Sequence, residues 1–184
     1  MGLDQSIRTD SRRIQDEMGE RGKGTIPYSG IAEEIAFYEE RMSHVDPENE
    51  FYATEQKILD STQQTIGNWR QCHFLHHYFE QLCHRRFGHG LDDNGSVLSI
   101  AAPDLSSLLN DILCVLEGLK WNEETGIAMA GFLLPNADVI YAESNEMGYG
   151  EDYRAELRET AEWLQTLLSI PGIQTAMFRY TYSY

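Results

Sequence analysis

Positive charge is scarce in this chain: 14 Lys and Arg stand against 30 Asp and Glu in 184 residues, a formal net charge of −16 at pH 7. Such a body repels DNA, RNA and anionic lipid at long range, so direct nucleic-acid binding and adhesion to a membrane surface are not expected. Long apolar runs are missing too, since none approaches the roughly 20 residues that span a bilayer. The opening MGLDQSIRTD has neither a basic n-region nor an apolar h-region, so export is not expected and a cytoplasmic location is. Cysteine is limited to three residues, an odd number without framework spacing, which excludes a secreted disulfide scaffold. Cys72 and Cys83 lie eleven positions apart on one predicted helix, roughly 16 Å at helical rise, too far to pair. With Cys114 they are expected to be small buried hydrophobes.

Catalytic signatures are equally sparse. No Ser-His-Asp order, nucleophile elbow or CxxC occurs. GERGKGT at 19–25 superficially resembles a phosphate loop, but only Glu20 and Arg21 separate Gly19 from Gly22, too few to curl a backbone around phosphates. Repeats and low-complexity tracts are absent.

What remains is a globular composition, 41% hydrophobic and 24% charged, in a length suited to one domain that folds alone or as an oligomer. The negative excess lies beyond Lys23, because Arg8, Arg12, Arg13, Arg21 and Lys23 balance five acids before it. Such charge either solvates the protein or imitates a phosphate backbone.

Periodicity predicts a strand at 3–7, a mobile glycine-punctuated loop at 9–30, and an amphipathic helix at 31–42. It then predicts one long helix over 54–87, weakened at Gly67 and ended by Gly88 and Gly90. A turn at Asp92-Asp93-Asn94-Gly95 precedes a strand at 97–100, and Pro103 opens a helix with Leu105, Leu108, Ile112 and Val115 on one face. IAMAGFLL at 127–134 and DVIYA at 138–142 read as strands, 153–168 as a helix, and the alternating 177–184 as a last strand. The fold class is α+β: a small mixed or antiparallel sheet packed by about four helices.

The opening Met1-Gly2-Leu3-Asp4, the segment Trp69-Arg70-Gln71-Cys72-His73-Phe74-Leu75-His76-His77-Tyr78-Phe79, the Asp92-Asp93 pair and the tyrosine-rich ending resemble a family of small proteins carried by bacteriophages and prophages. The resemblance runs from end to end, weakest from Arg8 to Gln64, and the family more often has Asn at the position of His73. It implies a setting, the cytoplasm of an infected or lysogenic bacterium, but no reaction.

Two clusters carry candidate chemistry. His73 and His77 are spaced i, i+4 and share a helix face with Glu80 and His84, with Asp92 or Asp93 as a conceivable third ligand. HxxxH here lacks the glutamate of HExxH, and surface or hydrogen-bonded histidines explain the same pattern, so no metal or other cofactor is expected. The second cluster, Trp69, Arg70, His76, Asp92 and Tyr180, supplies an anion anchor and flat rings for a small nucleotide-like ligand; equally, Arg70 pairs with Asp4 or Asp92 while the aromatics fill the core. Three functions follow: a non-enzymatic binder of a host protein through an acidic face at 138–162, a small-ligand binder, and a metal-dependent hydrolase using the helix histidines. The first is preferred, with a host protein or small ligand as partner.

Overall fold

A computed structural model of the chain describes residues 3–91, 97–136 and 148–183. Four antiparallel strands, β1 (Asp4–Arg8), β2 (Thr65–Arg70), β3 (Leu98–Ala101) and β4 (Met177–Ser183), form one sheet in the order β2-β1-β4-β3. Seven α-helices accompany it among the described residues: α1 (Arg12–Arg21), α2 (Ile26–Ser43), α3 (Tyr52–Gln64), α4 (His73–Phe87), α5 (Ala102–Trp121), α6 (Glu123–Leu133) and α7 (Glu151–Leu168). The α+β class is as expected, with more helices than the four anticipated.

Period-2 alternation fixes which side chains meet the helices. Gln5 and Ile7 of β1 stand opposite Trp69 and Gly67 of β2 on one side and Tyr182 and Tyr180 of β4 on the other, while Leu98 and Ile100 of β3 pair with Tyr180 and Phe178. All of these face inward. The buried side chains form one continuous cluster, in which α4 lays Phe79 on Tyr180 at 4.3 Å between ring centroids and α7 sets Trp163 edge-on to Trp69 at 4.9 Å. Arg86 of α4 grips Asp104 with two bonds of 2.6 and 2.7 Å. Asp104 also accepts from the Ala101 N–H, closing the entry to α5.

Three expectations are overturned. Residues 9–30 are not a loop: α1 buries Ile14 and Met18, and the first turns of α2 bury Tyr28 and Ile31. The 54–87 helix is broken by β2, and Gln71, in the left-handed region at φ 57°, turns the chain between β2 and α4. Residues 127–133 belong to α6, whose start is capped by the Asn122 side chain accepting from the Thr125 N–H. Cys114 is a fourth correction, exposed on the solvent side of α5, whereas Cys72 and Cys83 are buried as expected. The strand read at 138–142 lies outside the described residues. No helix among the described residues is long and apolar enough to cross a membrane.

Candidate functional site

Adjacent strand residues point to opposite faces, so Trp69 and Arg70 cannot share a pocket. Trp69 is buried and donates its indole N–H to Thr160 Oγ1 at 3.1 Å. Arg70 projects from the other face, with its side chain 82% exposed and 4.0 Å from Asp4. His76 and Tyr180 do meet: the tyrosine hydroxyl is 3.1 Å from His76 Nδ1. Gln5 joins them by donating to the Tyr180 hydroxyl and to the Cys72 carbonyl, while its amide oxygen accepts from the Cys72 N–H. This chain of bonds satisfies buried polar groups and ties the sheet to the start of α4. Burial lowers the His76 pKa to about 4, against a smaller upward pull from Glu80, so the ring is neutral at pH 7. Asp92 lies outside the described residues.

The remaining histidines are spread along α4. His73 is buried at its first turn, His77 Nδ1 is 3.6 Å from Glu80 Oε2, and His84 is exposed in the last turn. No group of three or more His, Cys, Asp or Glu is placed to hold a metal ion among the described residues.

Arg70 and His73 come together in a cleft of about 320 Å³ at the β2–α4 turn, facing Asp152 and Glu156 of α7. Burial, with Glu159 and Asp152 nearby, raises the Glu156 carboxyl to about 7. Of the acidic face, the described part is 148–162, and from Glu151 onward it belongs to this helix.

A larger groove, about 480 Å³, opens on the outer face of the sheet, walled by Ile31 and Glu34 of α2 and by Ser61 and Thr62 at the end of α3. Its floor consists of cross-strand rows set by register. The rows that line it are Asp4 and Ser183, then Asn68, Ser6 and Thr181, then Thr65 and Arg8; Arg70 and Arg179 continue the first and last rows outside the groove. Arg179 is compensated by Asp10 at 2.5 Å and Gln64 at 3.1 Å. Arg8 is not. Its Nε is buried without a hydrogen-bond partner, and no carboxylate pairs with it among the described residues. Burial, and then the charge of Arg179, pull its pKa below the ordinary value, yet a guanidinium remains charged at pH 7. A half-buried guanidinium with no carboxylate partner among the described residues is the chemical complement of a phosphate or carboxylate.

Sequence reasoning missed Arg8, because its neighbour Arg179 is brought beside it only by the pairing of the two chain ends. The alternation at 3–7 and 177–184 was the one signal available. Comparison with protein families, with curated proteins and with solved structures yields no match.

Proposed function

We propose that the protein is a non-enzymatic binder that takes a small phosphate-bearing ligand in the groove on the outer face of its sheet. Arg8 carries the reading: an uncompensated, partly desolvated guanidinium at the floor of a polar groove, in a chain whose net charge is −16. Nε itself is out of a ligand's reach, but the rest of this side chain lines the groove, and a cation there without a counter-charge is where an anion gains most. The setting proposed is that of the resemblance, a phage or prophage accessory protein in the bacterial cytoplasm, where such a binder would sequester its ligand.

Calorimetric titration with inorganic phosphate tests this. Binding should weaken at least about tenfold in Arg8→Met, the loss expected for a charge-assisted pair, while the variant unfolds at the same or a higher temperature because an orphan donor and an Arg–Arg repulsion are gone. Equal phosphate binding by both forms, or a destabilised Arg8→Met, would make Arg8 structural and end the reading.

A second reading, an acidic surface that docks on a host protein, is supported by α7. Glu151, Asp152, Glu156, Glu159 and Glu162 crowd one helix with only Arg154 and Arg158 among them. A host protein retained from lysate by the native chain and by Arg8→Met, but lost from a Glu159→Lys, Glu162→Lys variant, would favour this surface over the groove.

A further inference from the structure

We infer, resting on the phosphate reading, that the groove's ligand is a phosphorylated sugar or polyol recognised through its hydroxyls, and not a nucleotide held by its base. Positions two apart on a strand are about 7 Å from each other, so the floor presents three chemically distinct stations in order: Arg8, then Ser6, then Asp4. The first is cationic. The last is a carboxylate paired only loosely with Arg70, which stands 4.0 Å away with its side chain 82% exposed. An anionic head is therefore drawn to the Arg8 end and repelled from the other, which orients the ligand.

The middle station is built for hydroxyl groups. Ser6 Oγ and Thr181 Oγ1 lie 2.7 Å apart and bond to each other, which consumes one hydrogen and leaves the pair a second O–H to donate and lone pairs to accept. Beside them on β2, the Asn68 amide is exposed and makes no hydrogen bond among the described residues, so it offers donor and acceptor together to a diol. Asp4 and Glu34, acceptors only, suit hydroxyl hydrogens further along.

A base would need a flat apolar plane, and among the described residues the outer face has none to give. The rings of Trp69, Phe178 and Tyr180 are turned inward by strand alternation; Tyr182, which borders the groove, is 5% exposed and packs against His76 at 4.6 Å. Stacking is the ordinary route to sequence-tolerant base binding, and it is closed here.

Titration of the whole protein with inorganic phosphate, ribose, ribose 5-phosphate and adenosine 5′-monophosphate tests the inference. Ribose 5-phosphate should bind at least about tenfold more tightly than phosphate, and adenosine monophosphate no more tightly than ribose 5-phosphate. Asn68→Ala, at an exposed position on an edge strand, should cut the sugar phosphate about fivefold or more while leaving phosphate unchanged and melting temperature intact. If phosphate binds through Arg8 but the sugar adds nothing, or if adenosine monophosphate binds at least about tenfold better than ribose 5-phosphate, the inference falls and the phosphate reading stands. If neither phosphate nor sugar phosphate binds, both fall.

Discussion

Gly67 is the residue on which the Trp69–Trp163 contact depends. A Cβ added there would lie 2.5 Å from Trp69 Cη2 and 2.7 Å from Trp163 Cζ2, and both indoles are anchored, Trp69 through Thr160 and Trp163 through the Ile66 carbonyl at 2.6 Å. Neither ring can retreat without breaking a buried hydrogen bond. Gly67→Ala is therefore expected to cost about 2–4 kcal/mol, the sum of overpacking and a strained bond, read as a lower denaturation midpoint. Gly24→Ala is the control: nothing lies within 4 Å of its added Cβ, so its midpoint should stay within about 0.5 kcal/mol of the native value. Equal effects at both sites would show that the indoles yield. The same economy of space appears at Gln5, where one amide satisfies both backbone groups of Cys72 and reaches the Tyr180 hydroxyl.

At the scale of elements, α5 and α6 cross so closely that a Cβ on Gly126 would come within 2.4 Å of the Leu119 backbone nitrogen. Backbone cannot yield as a side chain can. Gly126→Ala should separate the two helices and cost at least about 2 kcal/mol despite the better helix propensity of alanine, and hydrogen exchange along α6 should accelerate before that along α4. Unchanged exchange in α6 would mean that the crossing accommodates an added methyl group. This contact also explains why α6 was misread: small and apolar residues in IAMAGFLL serve a close helix crossing and look like a buried strand, although Asn122 followed by two glutamates was a legible helix start. β2 was hidden for a related reason. Ile66, Trp69, Cys72 and His76 fit helical spacing across the real boundary at Gln71, and the implied helix, about three times the mean length, was the available warning. Strands with strict alternation, β1 and β4, were legible, as were α5 and α7 with their leucine faces. The groove was not, because Arg8, Asn68 and Thr181 become neighbours only through the register of three strands far apart in sequence.

Over the whole molecule, one buried and one half-buried titratable group pull stability in opposite directions with pH. His76 has its pKa lowered from 6.5 to about 4, so the unfolded chain takes a proton that the folded one refuses, and stability falls as pH drops through that window by at most about 1.4 kcal/mol per unit. Glu156 has its pKa raised from 4.5 to about 7, so the folded chain keeps a proton that the unfolded one releases. Its contribution is fully present below 4.5 and is lost as pH rises through 7. Where the windows overlap, one proton is gained and one refused on folding, and the two slopes cancel. Glu156→Gln separates them, since glutamine keeps the shape and hydrogen-bonding atoms but cannot ionise beside Asp152 and Glu159. The variant should be more stable than the native protein at about pH 8, where the native carboxylate must be charged and partly buried, and most of that advantage should be gone by about pH 5. With that opposing slope removed, the variant's stability should rise between about pH 5 and 6.5, where the native protein is nearly level. Urea unfolding at these three pH values reads both effects. A gain that is the same at every pH would show that Glu156 titrates as an ordinary surface acid, and that the crowding of carboxylates along α7 is relieved by water and not by a retained proton.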